Sequence, residues 1–286
     1  MRHLAYRLGC EAGKLVLFVL IAGLVSASLV RFAPGFGVDE RELDSRLNQD
    51  SVEALRNAHR LQSGLLAYYG HYLAAGIRGD FGESEWLQQP VSVLVRERLP
   101  VTARSVSFGV LLAWAVALAA SLASLRFRGV ASEFSGTLLS GFLIALPSAV
   151  VALFAVYLRA PVFLAIAVVI FPKLFRFLRN LFTHAQSQPY VLAASARGIG
   201  QSRIIFRHVL PLAAPGLIAL LGVSLSIAFG AAIPIEALCD SPGVGQLAWQ
   251  ATLNRDLPLI MNLTLLATII TVAANSLASI ATEKAL

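Results

Sequence analysis

The chain runs Tyr190-Val-Leu-Ala-Ala-Ser-Ala-Arg-Gly-Ile-Gly-Gln-Ser-Arg-Ile-Ile-Phe-Arg-His-Val-Leu-Pro-Leu-Ala-Ala-Pro215 in a polar, basic stretch between long apolar segments. The pattern predicts a helix of small residues from Leu192 to Arg197 and a second, basic helix from Ser202 to His208. Gly198 and Gly200 separate them, and glycine adopts the backbone angles of a sharp turn without strain. We therefore expect an elbow made of two short helices.

Small residues and a proline complete this pattern. Ala193 and Ala194 leave a helix face flat enough for a partner to approach closely. Leu210-Pro211 leads directly into an apolar segment of membrane-spanning length. From these residues alone, an ordinary amphipathic loop between two spans is the alternative.

The composition places the whole chain in a membrane. Hydrophobic residues make up 57% of it and charged residues 14%, which is far from the composition of a soluble domain. Its apolar runs reach the ~20 residues that cross a bilayer as a helix. The net charge of +7 comes from basic residues beside these runs, and no nucleic-acid motif accompanies them. We therefore predict an all-α polytopic membrane protein that contacts membrane lipid and no nucleic acid.

Hydropathy predicts six transmembrane helices and three parts of the chain. Residues 1–32 form a cytoplasmic basic leader with transmembrane helix 1, and residues 33–100 form an extracytoplasmic helical excursion between spans 1 and 2. Residues 101–286 form the core with helices 2–6 and a cytoplasmic loop at 176–210. The later spans are expected at about Ser105–Leu125, Ser135–Leu158, Pro161–Leu174, Pro211–Ile235 and Leu257–Ala281.

The first apolar run has an alternative interpretation. A basic start and an apolar core, with the small residues Ser26-Ala27-Ser28, are also typical of a cleaved signal peptide. The run continues past these residues to Phe32, which fits a retained span better.

The distribution of charge gives the orientation. No Asp or Glu occurs between Glu133 and Glu236, whereas basic residues are frequent there, so the positive-inside rule places this loop in the cytoplasm. We therefore expect a multi-pass protein of the cell's inner (plasma) membrane. With six spans, both termini lie in the cytoplasm and the 236–257 loop lies outside. Cys10 and Cys239 lie on opposite sides in this topology, so no disulfide is expected. The basic residues assigned to this cytoplasmic loop are Lys173, Arg176, Arg179, Arg197, Arg203 and Arg207.

Two features inside the spans carry structural expectations. Leu146-Pro147-Ser148 predicts a kink, because proline removes a helical hydrogen bond. A stripe of small residues in span five favours close helix packing, and lining of a pathway is the alternative. The stripe consists of Gly222, Ser224, Ser226 and Gly230.

The elbow resembles a known family. Ala193-Ala194, Gly198 and Leu210-Pro211 stand at the spacing of the EAA loop of binding-protein-dependent ABC importer permeases. The resemblance implies the ABC importer type I permease fold, with this loop as the helix that couples to a cytoplasmic ATPase subunit. The Glu of that loop is Leu192 here, so any ion pair it makes elsewhere is missing. The implied coupling residues are Ala193, Ala194, Arg197, Gly198, Gly200, Arg203, Arg207, Leu210 and Pro211.

Two further stretches resemble one branch of that family, the first-type permease of dipeptide, oligopeptide and nickel importers. The first stretch ends the excursion, where Pro100 is expected in the first turn of a helix. The second follows span five, where Glu236 is costly unless it is hydrated or paired, and Arg255 is a candidate partner. Simple surface turns are the alternative for both. The matching residues are Gly79, Asp80, Gly82, Ser84 and Pro100, then Glu236, Pro242, Gly243, Gly245, Arg255, Asp256 and Pro258.

No catalytic motif or metal site emerges from the residues, so an enzyme is disfavoured. By resemblance, the partners are a second permease subunit, two ABC ATPase subunits and an extracytoplasmic substrate-binding protein. ATP and Mg would bind to the ATPase subunits, and this chain would bind no cofactor. The expected cargo is a peptide or a related small solute such as nickel. The alternative class is an ATPase-independent secondary carrier or a membrane enzyme; carriers commonly place charged relay residues within their spans.

Overall fold

The computed structural model describes residues 13–14, 16–25, 28, 69–70, 73–76, 78–126, 138 and 140–285. The basic leader with Cys10, most of the excursion, the segment Ser26-Ala27, the start of span three and the side chain of Leu192 lie outside the described residues. The expectations for those parts stay predictions.

The described residues are almost entirely helical. Within them, the β pairing is an isolated bridge between Glu83 and Pro90. The helices are α1 (Val16–Val25), α2 (Val91–Arg126), α3 (140–145), α4 (Ser148–Tyr157), α5 (Val162–Gln186), α6 (Pro189–Ala196), α7 (Gln201–Leu238), α8 (Val244–Leu253) and α9 (Leu257–Ala285).

Three of the described helices, α2, α7 and α9, are long and apolar enough to cross a membrane. Their membrane-spanning segments are Val91–Leu125, Gln201–Leu238 and Leu257–Thr282. Large apolar side chains such as Leu111, Phe142 and Leu277 are exposed, as expected of helices that contact lipid. These observations confirm an all-α polytopic membrane protein, while the count of six spans stays a prediction.

The described chain forms two compact units. One contains residues 1–96 and 250–269, and the other contains residues 97–249 and 270–286. In the first unit, the hydroxyl of Tyr69 donates to the Leu20 carbonyl of α1 at 2.9 Å. The second unit holds the larger core, which α2, α5 and α7 line.

A buried stripe on α5 organises that core. Ile166, Ile170, Leu174, Leu178 and Phe182 recur every four residues, and all five are at most 2% exposed. Residues four apart share one face of a helix, so the stripe keeps α5 helical well past the predicted end of span four at Leu174. The first part of the predicted 176–210 loop is therefore the end of α5.

The predicted role of Pro100 is wrong. α2 begins at Val91, directly after Pro90, so Pro100 lies inside the helix and not in its first turn. Proline has no N–H for the carbonyl four residues earlier. Pro100 is exposed on the surface of α2.

The predicted kink at Pro147 is confirmed as a break. Helix α3 stops before Leu146, and α4 starts at Ser148 with Pro147 as its N-cap residue. Proline favours an extended preceding residue and cannot continue the hydrogen-bond ladder, which explains the interruption.

The small-residue stripe of α7 has two uses. A Cβ on Gly222 would lie 2.7 Å from the Ala278 Cβ, so this glycine allows α7 and α9 to pack closely. Ser224 accepts a hydrogen bond from the Trp114 indole at 3.0 Å, and Ser226 accepts one from the Asn275 amide at 2.9 Å. Gly230 faces open space instead.

Candidate functional site

The predicted elbow is present at residues 189–209, but only its first helix, α6, is short. The second helix, expected at Ser202–His208, is the beginning of the long helix α7. α6 ends in a C-terminal turn in which the Ile199 amide donates to the Ala194 carbonyl at 3.4 Å. Gly198 has φ +78°, the left-handed conformation that this kind of helix end requires. Ile199 packs against the core, as the apolar residue after such a turn commonly does.

Gly200 does not share this requirement. It is the N-cap of α7 with φ −59° and ψ 142°, a conformation that any residue adopts. The turn therefore depends on Gly198, and the predicted conformational role of Gly200 is wrong.

The elbow is held by a buried apolar side. Val191 and Ala194 of α6, and Ile204 and Val209 of α7, are at most 7% exposed and belong to the main core. The expectation that Ala193 and Ala194 both face a partner is half wrong, because only Ala193 is exposed. Neighbouring residues on a helix point about 100° apart, so one alanine faces outward while the next packs inward.

The opposite side of the elbow is basic and aromatic. Tyr190 is 49% exposed and Phe206 is 66% exposed. Arg197, Arg203 and Arg207 of the same segment are also exposed. We call these five residues the elbow face. Arginine and large aromatic residues are enriched at protein interfaces, so this composition suits docking of another protein.

The elbow continues into the membrane without a break. Residues Ile205–Val209 form one π-helical turn, and the Leu210 amide donates to the Ile205 carbonyl five residues earlier. Pro211 follows and cannot donate to the carbonyl four residues before it. The wider π turn absorbs this loss, so a single helix extends from Gln201 to Leu238. The sequence pattern predicts a boundary at Leu210-Pro211, and this prediction is wrong because the helix is continuous there.

A second group of functional candidates meets in the unit of residues 1–96 and 250–269. The Ser84 hydroxyl donates to the carboxylate of Asp256, and both residues are 1% exposed. The Trp86 amide donates to the same carboxylate at 3.2 Å. Asp256 also caps α9, where the Leu259 amide donates to its other oxygen at 3.1 Å. We call this group the Asp256 cluster.

The surroundings of the Asp256 cluster involve the other motif residues. Gly79 and Gly82 have φ +82° and +71°, so both adopt the turn conformation that glycine permits. The Asn262 amide donates to the Phe81 carbonyl at 2.8 Å. Asp80 accepts from the Gly82 amide at 3.0 Å and stabilises that turn. The motif at 79–84 and the motif at 255–258 are therefore parts of one structure.

A third group lies in the unit of residues 97–249 and 270–286. Glu236 is fully buried at the end of α7, and its Oε2 accepts from the Thr102 hydroxyl at 2.9 Å and from the Gly245 amide at 2.8 Å. The Thr102 hydroxyl in turn accepts from the Val244 amide at 2.7 Å. Two side chains thus cap the N-terminus of α8, which favours negative charge there. We call this group the Glu236 cluster.

Glycine is required on the α8 side of this cluster. A Cβ on Gly243 would overlap the carboxylate of Glu236 and the hydroxyl of Thr102. A Cβ on Gly245 would lie 2.7 Å from the Ile233 Cα. Close approach of neighbouring atoms therefore explains both glycines of the motif Pro242-Gly-Val-Gly245.

The partner expected for Glu236, Arg255, is not one of the residues that hydrogen-bond to Glu236 within its own unit. A hydroxyl and a backbone amide hold its Oε2, and its Oε1 has no hydrogen-bond partner among the described residues. Pairing with Arg255, which is exposed at a turn with φ +55° and belongs to the other unit, stays a prediction.

Sequence reasoning also missed a polar chain next to the Glu236 cluster. The Arg98 guanidinium donates to Gln246 at 3.1 Å, and Gln246 donates to Asp240 at 2.6 Å. Arg98 and Thr102 flank Pro100 in the sequence Arg98-Leu-Pro-Val-Thr102, but their partners lie more than a hundred residues away. Periodicity carries no signal for such pairings.

Long apolar helices, a broken span and an exposed elbow on a buried apolar support define a helical membrane protein. Residues 109–283 match the family described as "Binding-protein-dependent transport system inner membrane component". This match covers more than half of the chain, so the chain belongs to that family. It is therefore a membrane component that works with other transporter subunits.

Several curated relatives align along most of the chain. The oligopeptide transport system permease protein OppB of Haemophilus influenzae is 28% identical over 291 residues, which cover 92% of each protein. OppB of Salmonella typhimurium is 28% identical over 274 residues, 87% of each. The oligopeptide transport system permease protein AppB of Bacillus subtilis is 23% identical over 287 residues, 90% of each.

Proposed function

We propose that this chain is the permease subunit of an ATP-binding-cassette importer that carries peptides, or a related small solute such as nickel, across the inner membrane. The family match supports the permease role, and the relatives named as oligopeptide permeases support a peptide cargo. The observation that carries the proposal is the elbow, an exposed basic and aromatic surface fixed to a long membrane helix.

The elbow face is the proposed docking surface for an ATPase subunit. Its outward residues, Tyr190 and Phe206 among them, sit on a buried apolar side and therefore move with the core. Because Gln201–Leu238 is one helix, a push on the elbow is transmitted along α7. Closure of the ATPase subunits would then tilt α7 and shift the permease between inward-open and outward-open states, provided that nucleotide binds the two states with different affinity.

The Asp256 and Glu236 clusters are the proposed extracytoplasmic supports. Each cluster fixes a loop to the start of a helix. Asp256 caps α9, and Thr102 and Glu236 cap α8. In the proposed six-span topology, both termini lie in the cytoplasm, and the loops of residues 33–100 and 236–257 lie outside. There they would receive the substrate-binding protein.

The proposed assembly contains a second permease subunit, two ABC ATPase subunits and the binding protein. ATP and Mg bind to the ATPase subunits, and this chain binds no cofactor. Hydrolysis is therefore assigned to the partners. A secondary carrier would transport without them, which makes dependence on ATP the deciding difference.

Purification of the chain with its partner subunits tests this assignment. We expect Phe206→Ala to weaken ATPase association about tenfold, since exposed aromatic anchors dominate interface energies. Phe154→Ala is the matched control, because Phe154 is 60% exposed on α4 and lies outside the elbow. ATP-dependent uptake should fall with Phe206→Ala alone. Uptake that needs no ATP, or equal losses in both variants, would refute the proposal.

A further inference from the structure

A cavity of about 430 Å³ lies in the unit of residues 97–249 and 270–286. Its wall comes from the broken span at α3 and α4, from α5 and from α7. Leu143, Ile144, Val169 and Ile227 contribute apolar side chains to this wall, and polar atoms contribute slightly more than half of its surface. The volume falls in the range of about 300–1,000 Å³ that small-molecule sites occupy.

One charged side chain lines this cavity. Lys173 of α5 contributes the ammonium group, and no hydrogen bond or ion pair to it occurs among the described residues. No acidic residue belongs to the described part of the wall, and none occurs in the sequence between Glu133 and Glu236. The cavity therefore has a mixed polar and apolar lining, with a single positive charge that the described wall leaves uncompensated.

The broken span adds further donors at the same wall. Ser148 lines the cavity and begins α4. The first amides of a helix have no acceptor within it, and no side chain caps this end. The helix dipole makes this end partly positive. An ammonium group, a hydroxyl and a helix N-terminus thus all favour an anionic oxygen ligand.

The geometry points to this cavity as a binding site for the terminal carboxylate of the transported peptide, with Lys173 as its charged partner. The inference rests on the proposed import of peptides. One ammonium with neutral donors suits a singly charged carboxylate, and the mixed polar and apolar wall suits a peptide backbone with short side chains. Lys173 thereby becomes a specificity-determining residue of the permease.

Gly230 supplies an independent test of the space. It lines the cavity, and a Cβ built on it meets no atom within 4 Å. A leucine there fills volume without displacing the backbone, and it favours the helix more than glycine does. Gly230→Leu should therefore obstruct the cavity in a folded protein, and Gly230→Ala should leave most of it open.

The experiment compares the complete importer in proteoliposomes with two probes, trialanine and trialanine amide. The same binding protein is used with every variant. Any difference in uptake between a variant and the wild type therefore comes from the permease and not from the binding protein. We expect Lys173→Gln to raise the half-saturating concentration of trialanine about tenfold and to leave that of the amide unchanged. Lys173→Arg should retain wild-type values, and Arg176→Gln, an exposed position one turn further along α5, should as well. Gly230→Leu should reduce the uptake of both probes.

Each other outcome overturns the inference. Equal losses of both probes in Lys173→Gln would assign Lys173 a structural role, and wild-type behaviour would remove it from recognition. A loss that appears only in vesicles containing phosphatidylglycerol, and not in phosphatidylcholine alone, would assign the lysine to a lipid phosphate. If the wild-type importer transports neither probe with ATP, peptide import itself fails, which is distinct from failure of the Lys173 site.

Discussion

Gly198→Ala is the substitution that examines the elbow most closely. Gly198 has φ +78°, and a Cβ on it meets no atom within 4 Å. The cost is therefore confined to the backbone, at about 1–2 kcal/mol for a residue with a Cβ in the left-handed region. Since about 1.4 kcal/mol is a tenfold change, the native elbow should lose roughly 5- to 30-fold in population against its opened forms.

The matched control is Gly200→Ala, two residues further on. Gly200 has equal open space but φ −59° and ψ 142°, so alanine there is unstrained. Gly198→Asn should fall between the two, because asparagine tolerates the left-handed region better than alanine does. The free energy of global unfolding should fall by no more than about 1–2 kcal/mol in Gly198→Ala and should stay unchanged in Gly200→Ala, because the strain is confined to one exposed turn.

The assay is ATP hydrolysis stimulated by the binding protein in the reconstituted importer, together with uptake per ATP hydrolysed. Gly198→Ala should lose most of the uptake that is coupled to ATP hydrolysis, although the importer assembles normally. Gly200→Ala should retain this uptake. Equal activity of Gly198→Ala and wild type, or equal damage from both alanines, would show that the backbone angle at Gly198 does not govern coupling.

Three further predictions concern the buried clusters and Cys239. Thr102→Val removes the hydroxyl between Glu236 and the Val244 amide, so we expect the free energy of unfolding to fall by about 1–3 kcal/mol. The control is Thr183→Val at an exposed position. Equal melting temperatures of the two variants would contradict the role of the Thr102 hydroxyl. Asp256→Ala removes the cap of α9 and the acceptor of the buried Ser84 hydroxyl, for an expected cost of about 2–4 kcal/mol, and a variant as stable as wild type would count against the cluster. Burial raises the pKa of Cys239, so its thiol stays protonated at pH values where an ordinary thiol ionises. In a Cys10→Ser background, N-ethylmaleimide should therefore modify Cys239 more slowly at pH 8 than a cysteine introduced by Ser187→Cys, which is exposed; equal rates would contradict the shift.

The sequence predicted the features that depend on local rules. Gly198 at a helix end, the break at Pro147 and the helices of membrane length all follow from backbone geometry and hydropathy, and all are present. The inward side of Ala194 was not predictable, because a run of small residues has no hydrophobic period that marks the buried face. The position of Pro100 inside α2 was missed because the apolar pattern begins after the helix does.

The polar clusters depend on pairings that local patterns do not encode. Ser84 and Asp256 are 172 residues apart in the chain, and Thr102 and Glu236 are 134 apart. The motifs singled out the correct residues but not which residue meets which. The π turn before Pro211 was equally hidden, since proline normally ends a helix and only the wider ladder lets this one continue.

The most direct test of the account is a photo-cross-linking amino acid placed at Phe206 in the assembled importer in intact membranes. Phe206 is 66% exposed on the elbow face, and Phe154, at 60%, provides the control position. We predict a cross-link from position 206 to the ATPase subunit, and none from position 154. The absence of an ATPase adduct at 206, or an adduct there with the extracytoplasmic binding protein, would contradict the central claim that this surface receives the force of ATP hydrolysis.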